Sequence, residues 1–135
     1  MLIRKIESKD QRDFSVLLKE FFAYAGNGEI DAASMDAFFH RMTLPQRHLN
    51  YFVAEINNEL VGMISAVVCD SSYKLSPFVW LDDFYVLKEF RGQGVGKALL
   101  TKAQEFAASK DAASIVIGVG EGESKSMSFY QTHGF

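Results

Sequence analysis

Three glycines stand at alternate positions in the stretch RGQGVGK, Arg91–Lys97, directly before an apolar pattern with helical spacing. Glycine has no Cβ atom, so the backbone N–H groups of such a turn can come close to a bulky anion. The positive end of the helix that follows adds attraction for a phosphate. The stretch therefore favours a diphosphate-binding turn. The structural alternative is a glycine-rich cap or bulge that holds no ligand.

Two common phosphate motifs fail when the spacing is counted. A P-loop needs glycine where Arg91 stands and serine or threonine where Ala98 stands. A dinucleotide fingerprint needs a third glycine where either Lys97 or Leu99 stands. The turn therefore belongs to neither motif.

A pair of aspartates interrupts the apolar strand pattern FVWLDDFYV, 78–86. Strand alternation predicts that Asp82 and Asp83 lie on opposite faces of the sheet. An unshifted carboxylate is too weak a base to deprotonate an alkyl amine alone. Asp82 would therefore need burial, a water relay or a mainly electrostatic role in binding an ammonium group. The alternative is that backbone groups or a lysine satisfy both carboxylates.

The hydrophobic pattern predicts elements that can position these residues. A capping-box spacing starts a helix at Ser8, and Asn57-Asn58 forms a tight turn between two strands. The predicted order is βαα-βββ-α-β-α, an α/β fold with a mixed central sheet flanked by helices, in one domain over 1–135. The predicted strands lie at 2–6, 51–56, 59–70, 78–86 and 113–119. The predicted helices lie at 8–24, at 32–42, from the end of the glycine stretch to about Ser109, and at 126–133.

Composition excludes several classes of protein. A net charge of −3 and a pI near 5.6 argue against a nucleic-acid binder. There is no run of 18 apolar residues, so we expect no transmembrane helix and a cytoplasmic protein. The single cysteine, Cys69, has no disulfide partner within the chain, and the three histidines have no metal-ligand spacing.

The pattern Arg91-x-x-Gly94-x-Gly96, placed after a strand and before a helix, resembles the pyrophosphate signature of the GNAT superfamily of N-acetyltransferases. The resemblance continues through WLDDFYVLKEFRGQGVGKALL, 80–100, and through FYQTHGF, 129–135. It implies an acyl-CoA N-acyltransferase fold, acetyl-CoA as co-substrate, no metal, and acetyl transfer to an amine.

The resemblance also implies which residues contact the co-substrate. In the family, a backbone N–H at a bulge in the strand before the glycine turn holds the thioester carbonyl, which corresponds to the neighbourhood of Tyr85 and Val86. An ordinary ladder strand is the alternative at this position. The implied cofactor-binding residues are Phe84, Tyr85, Val86, Arg91, Gly92, Gln93, Gly94, Val95, Gly96, Lys97, Glu123, Ser126 and Phe129.

Two catalytic residues follow from the same resemblance. Tyr130 would protonate the departing thiolate, because a phenol with a pKa near ~10 keeps its proton at neutral pH. Asp82 matches an acidic residue of diamine N-acetyltransferases and would bind or deprotonate the amine. Tyr24 would contribute to the acceptor pocket. The alternative for Tyr130 is a half-buried aromatic residue on an amphipathic helix.

Two features depart from the family pattern. Glu123 stands where many members have asparagine, and the family fold normally continues with two more strands after the Gly-Phe pair at Phe135. We therefore expect a fragment or a chain completed by a second copy, with a homodimer as the prediction. The acceptor would be a small-molecule amine or a protein amino group, with no nucleic acid or membrane as partner. A non-catalytic acyl-CoA-binding or regulatory module is the alternative function.

Overall fold

The computed structural model describes residues 1–45, 48–72, 75–118 and 124–135, the last range with side chains from Ser128 onward. Two short 3-10 turns, at Ser8–Asp10 and Lys88–Phe90, precede the first and third helices. The strands are β1 (Leu2–Lys5), β2 (Leu49–Ile56), β3 (Glu59–Cys69), β4 (Phe78–Val86) and β5 (Ile115–Ile117). The helices are α1 (Gln11–Ala25), α2 (Ala32–Thr43), α3 (Val95–Ser109) and α4 (Ser124–Thr132).

The strands form one sheet in the order β1-β2-β3-β4-β5. Neighbouring strands are antiparallel except β4 and β5, which are parallel. The predicted mixed sheet and element order are confirmed. The tight turn is confirmed as well, because Asn57 and Asn58 have φ values of 51° and 62°, the left-handed pair that a two-residue hairpin loop needs.

Each face of the sheet carries its own apolar core. One face packs against α1 and α2 through Phe14, Leu17, Met35, Phe39, Tyr51, Val53, Met63 and Tyr85. The other face packs against α3 through Phe52, Ile64, Val79, Leu81, Leu99, Leu100 and Ala103, with Phe84 and Phe129 at its margin. We call these the α1/α2 face and the α3 face. The site described below uses both.

The middle of β4 contains a β-bulge. Ile64 of β3 pairs with Phe84, and Ala66 pairs with Leu81, so Asp82 and Asp83 together oppose the single residue Ser65. This position corrects the expectation of a bulge near Tyr85 and Val86, which pair regularly with β3. A side chain explains where the bulge lies. The Asp83 N–H donates to Ser65 Oγ at 2.8 Å and so takes no part in the backbone hydrogen bonds between β3 and β4.

The parallel partner of β4 covers only part of it. β5 pairs with Val79, Trp80 and Leu81 and ends at Ile117. Within the described residues, the segment from Asp82 to Val86 therefore extends beyond its β5 partner. We call this segment the open edge of β4.

The predicted helix start at Ser8 is wrong by a few residues. Ser8 lies in a 3-10 turn, and α1 begins at Gln11. The carboxylate that caps the chain here is Asp10, which accepts a hydrogen bond from the Glu7 N–H at 2.7 Å. Asp10 also forms a bidentate ion pair with Arg4, with N···O distances of 2.7 and 2.8 Å. This pair connects the start of the helical region to β1.

Candidate active site

The glycine turn connects the open edge of β4 to α3. Gly92 and Gly94 have φ values of 76° and 87°, a left-handed conformation that other residues rarely adopt. Gly94 is the N-cap of α3 and has no side chain that could cap the first turn. The first backbone N–H groups of this 15-residue helix are therefore left to a ligand or to water.

The third glycine also lies next to aromatic side chains of neighbouring elements. A Cβ atom on Gly96 would lie 3.4 Å from both Phe84 Cζ and Phe129 Cζ, at the short end of ordinary van der Waals contact. Gly96 therefore allows α3, α4 and β4 to pack closely, whereas Gly92 and Gly94 give the turn its backbone conformation. Phe84 and Phe129, predicted to contact the cofactor, pack on each other with ring centroids 5.8 Å apart.

The remaining residues of the turn divide into exposed and buried side chains. Lys97 is exposed on the first turn of α3, while Val95 is buried in the core of the α3 face. Gln93 Nε2 donates to the Glu89 carbonyl at 3.2 Å, which closes the turn on itself. Lys97 is thus positioned to add charge at the helix start, and Val95 and Gln93 hold the turn in place.

The Arg91 side chain extends to the α1/α2 face. Its Nε donates to the Val86 carbonyl at 2.9 Å, and its guanidinium carbon lies 5.2 Å from the Tyr85 ring centre and 5.5 Å from that of Tyr24. Tyr24 itself is exposed at the end of α1 and lies 5.6 Å from Tyr85. The structure thus joins Tyr24 to the glycine turn through one arginine, a connection that the sequence pattern did not indicate.

Backbone N–H groups at the open edge are directed away from β3. Leu87 N–H donates to the Val61 carbonyl at 2.9 Å, so alternation along β4 directs the N–H groups of Phe84 and Val86 towards the other side. That side is where the paired part of β5 has ended. The open edge therefore presents donors that can reach a carbonyl oxygen, although the bulge itself lies at Asp82 and Asp83.

Tyr130 reaches the open edge from the α3 face. Its ring lies 5.9 Å from Phe84 and 6.3 Å from Phe135, and its carbonyl accepts a hydrogen bond from the Phe135 N–H at 3.0 Å. These contacts place Tyr130 half-buried beside β4. Of the other residues predicted in this region, Glu123 lies outside the described residues, as does the side chain of Ser126.

Asp82 and Asp83 share the α1/α2 face, which corrects the prediction that they lie on opposite faces. Leu81 and Phe84, on either side of them, both pack on the α3 face, so the bulge turns the two intervening side chains the other way. Asp82 is exposed, whereas Asp83 is half-buried. Simple alternation failed here because it assumes an uninterrupted ladder.

Asp83 is held by residues that sequence reasoning missed. The buried Tyr51 hydroxyl donates to its carboxylate, and Ser65, also buried, accepts from its backbone N–H. Burial raises the pKa of Asp83, the neighbouring charge of Asp82 raises it further, and the Tyr51 hydrogen bond opposes the rise. The one available signal was Ser65, a lone polar residue within the apolar run LVGMISAVV.

No group of three or more His, Cys, Asp or Glu side chains among the described residues could hold a metal ion. None of the helices in the described ranges is both long enough and apolar enough to cross a membrane.

Comparisons with known proteins agree with this geometry. The model of the Acetyltransferase (GNAT) family matches residues 12–135. The N-acetyltransferase MJ1207 of Methanocaldococcus jannaschii is 27% identical over 139 residues, covering 98% of this chain but 59% of the relative. Thialysine N-epsilon-acetyltransferase of Sus scrofa is 34% identical over 56 residues, covering 42% of this chain and 33% of the relative.

A solved structure shares the fold. AAC(6')-Iy, in complex with the bisubstrate analogue CoA-S-monomethyl-acetylneamine, superimposes with a TM-score of 0.83 at 23% identity, covering 99% of this chain and 89% of that one. The chain spans about three fifths of MJ1207 and a third of the thialysine enzyme. With the family model covering nearly the whole sequence, the chain belongs to the Acetyltransferase (GNAT) family.

Proposed function

We propose that this chain is an N-acetyltransferase domain that moves the acetyl group of acetyl-CoA to a primary amine by direct attack while both substrates are bound. One observation carries the proposal: the glycine turn and the start of α3 lie next to the open edge of β4. An anion site and an exposed row of backbone donors are thereby side by side. Membership of the GNAT family supports the same reaction.

The residues at the turn fit the diphosphate of acetyl-CoA. Gly92 and Gly94 hold the left-handed conformation that directs successive N–H groups into a concave turn, and α3 adds its N-terminal dipole. Lys97 supplies a positive charge at the same end of the helix. When bound, acetyl-CoA supplies the activated acetyl thioester.

The open edge of β4 can stabilise the charge that develops on a carbonyl oxygen during acyl transfer. The N–H groups of Phe84 and Val86 are directed there, and Val86 is the nearer of the two to the turn. A preorganised donor of this kind is worth roughly 10²- to 10³-fold in kcat.

Tyr130 is positioned to protonate the leaving thiolate. A phenol with a pKa of about 10 holds its proton at neutral pH, and giving that proton to a thiolate whose conjugate acid has a pKa of about 8.5 is uphill by only about 2 kcal/mol. The contact of Tyr130 with Phe84 places the ring at the open edge, on the α3 face.

The acceptor would approach from the α1/α2 face as a cation. Asp82 and Asp83 share that face, and within the described residues no lysine, arginine or histidine forms an ion pair with either. Two adjacent carboxylates that form no ion pair with a described basic residue favour the binding of an ammonium group. AAC(6')-Iy binds a bisubstrate analogue in which coenzyme A is joined to acetylneamine, and this supports a small-molecule acceptor here.

A screen of amines with acetyl-CoA, detecting the released thiol, tests the proposal. Diamines, polyamines, aminoglycosides, amino acids and lysine peptides form the panel, with neutral amides as negative controls. We expect turnover with cationic amines. Binding of coenzyme A without thiol release from any amine would instead favour the non-catalytic acyl-CoA-binding module.

A further inference from the structure

Tyr51 is a polar residue inside the core of the α1/α2 face. Only 2% of its surface is exposed, and its ring meets Phe14 and Phe38 edge-on at 5.4 and 6.0 Å. Phe14 belongs to α1 and Phe38 to α2, so both helices fix the orientation of the ring. The hydroxyl at its tip therefore has a defined position on the sheet.

That hydroxyl belongs to a small polar network across three strands. It donates to the Asp83 carboxylate of β4. Ser65 in turn accepts the Asp83 N–H at 2.8 Å, the bond that accompanies the bulge. We call Tyr51, Ser65 and Asp83 the bulge network. Buried polar groups satisfied in this way fix one geometry, since every alternative leaves one of them without a partner.

The two aspartates differ in how firmly they are held. Asp83 is anchored at its backbone and at one carboxylate oxygen, whereas Asp82 is exposed. A group that must meet a reacting nitrogen needs a defined position, because a misplacement of about 1 Å can cost 10²-fold in rate. Asp83 meets that requirement and was not recognised from the sequence.

Resting on the proposed acetyl transfer, we propose that Tyr51 is a positioning residue that holds Asp83, and that Asp83 rather than Asp82 is the carboxylate that receives the acceptor ammonium group. In the transfer, a proton leaves the ammonium nitrogen for the second Asp83 carboxylate oxygen, and the nitrogen lone pair so released forms the N–C bond to the acetyl carbon. The C–S bond of the thioester then breaks, and the departing thiolate takes the phenolic proton of Tyr130. The second proton that the nitrogen loses restores the Tyr130 phenol through solvent, so the products are the amide, the free thiol and a protonated Asp83. Asp82 then supplies negative charge beside this site and takes no proton.

The electrostatics of the site agree with this assignment. The groups that act on Asp83 are Tyr51 from β2 and Asp82 beside it, while α1 and α2 contribute the apolar rings of Phe14 and Phe38 through Tyr51. Burial raises the pKa of Asp83. A carboxylate with a raised pKa is a stronger base than an ordinary aspartate, which brings it closer to an amine.

The proposal is tested with Tyr51→Phe and Asp82→Asn, which should shift one titration in opposite directions. Tyr51→Phe removes a donor that stabilises the carboxylate, so it should raise the pKa of Asp83 and move the acidic limb of kcat/KM to higher pH. Asp82→Asn removes a negative neighbour, so it should move that limb to lower pH. We further expect a loss in kcat of about 10- to 10²-fold for Tyr51→Phe, because the carboxylate is no longer held in place.

Coenzyme A binding by calorimetry is the control for folding in each variant. Tyr51→Phe keeps the ring that packs against Phe14 and Phe38, so its coenzyme affinity should equal that of the wild type. A 13C NMR titration of the aspartate carboxyls in the free protein measures the pKa of Asp83 directly. Comparing the wild type with Tyr51→Phe tests the effect of the Tyr51 hydrogen bond without any turnover. Asp83→Asn should remove the limb and lower kcat/KM by about 10²- to 10⁴-fold.

The possible failures are distinguishable. If the wild type releases no thiol with any amine, the proposed function is overturned and this inference with it. If the wild type is active and Tyr51→Phe has an unchanged kcat and an unmoved limb, only the positioning role is overturned. If Asp82→Asn loses the limb while Asp83→Asn keeps it, the roles of the two aspartates are reversed and the assignment is wrong.

Discussion

The guanidinium carbon of Arg91 lies 5.2 Å from the centre of the Tyr85 ring, and the same arginine donates to the Val86 carbonyl. The first residue of the glycine signature is therefore tied to the α1/α2 face. A charged residue next to an anion-binding turn would ordinarily be assigned to the anion. In this structure its side chain contacts the aromatic pair Tyr24 and Tyr85.

Arg91→Lys separates these two roles, because lysine keeps the charge but lacks the planar group that stacks and the Nε donor. We expect coenzyme affinity to stay close to that of the wild type. The KM for the acceptor should rise by about two- to fivefold, the equivalent of a cation–π contact worth ~0.5–1 kcal/mol. Arg91→Gln, which removes the charge too, is the comparison. Weakened coenzyme binding by Arg91→Lys would instead show that the Arg91 side chain binds the diphosphate.

Gly94→Val should abolish coenzyme A binding while the protein stays folded. A β-branched residue at a φ of 87° strains the backbone by about 1–3 kcal/mol. The turn would change its conformation to relieve this strain. Gly28 offers a matched control, since its φ is 80° and open space surrounds it, but it lies between α1 and α2. Gly28→Val should lose similar stability and bind coenzyme A normally by calorimetry. Normal binding by Gly94→Val would refute the placement of the diphosphate.

Tyr130→Phe should lower kcat and leave coenzyme affinity unchanged. The ring that packs against Phe84 remains, and only the proton donor is lost. General acid catalysis typically contributes about 10²- to 10⁴-fold, which sets the size of the expected loss. Steady-state kinetics with a thiol-detecting assay provides the measurement. Unchanged turnover would remove Tyr130 from the mechanism.

The ion pair of Arg4 with Asp10 should make the free energy of unfolding depend on pH in the acidic range. Burial alone would raise the pKa of Asp10, but the hydrogen bonds from Arg4 and from the Glu7 N–H outweigh it, so the pKa is lowered overall. The stabilisation is therefore present above the unfolded pKa of about 3.9 and is lost as pH falls through the lower folded value.

Asp10→Asn should cost about 2–3 kcal/mol at pH 7, below the ~3–5 kcal/mol of fully buried pairs because Arg4 remains 14% exposed. Urea unfolding at pH 7 and pH 3 measures the effect, and the difference between wild type and variant should shrink at pH 3. An undiminished difference at pH 3 would show that the carboxylate charge is not what stabilises the fold.

Among the described strands β5 is at the edge of the sheet, and we expect this edge to favour self-association. Val116 is 37% exposed, and a groove of about 660 Å³ beside the strand is lined by α3, β5 and Phe135. We expect light scattering to report a dimer at micromolar concentration and Val116→Lys to shift it towards monomer, because a lysine on an edge strand opposes pairing. A monomeric wild type whose β5 amides resist hydrogen exchange would contradict this prediction.

Local signals predicted the fold well. The residues Asn57-Asn58 specify their turn by themselves, because asparagine tolerates the left-handed backbone, and each strand and helix follows from its own hydrophobic period. The glycine turn was recognisable for the same reason. Such features depend on residues close together in the chain.

The bulge and its network could not be read in this way. Tyr51 lies 32 positions before Asp83, and Ser65 lies on the strand between them. Two side-chain hydrogen bonds accompany the bulge: the Asp83 N–H donates to Ser65 Oγ on the neighbouring strand, and the Tyr51 hydroxyl, two strands away, donates to the Asp83 carboxylate. No local pattern records a contact of that range.

The division of the sheet into an α1/α2 face and an α3 face has a consequence for how such a domain can change over evolution. Under the proposed function, the acetyl donor depends on the core around Phe84, Gly96 and Phe129, and the acceptor on the core around Tyr51 and Tyr85. Because the backbone of the sheet separates the two cores, substitutions that reshape one need not repack the other. Donor binding can therefore stay constant while the choice of amine diverges.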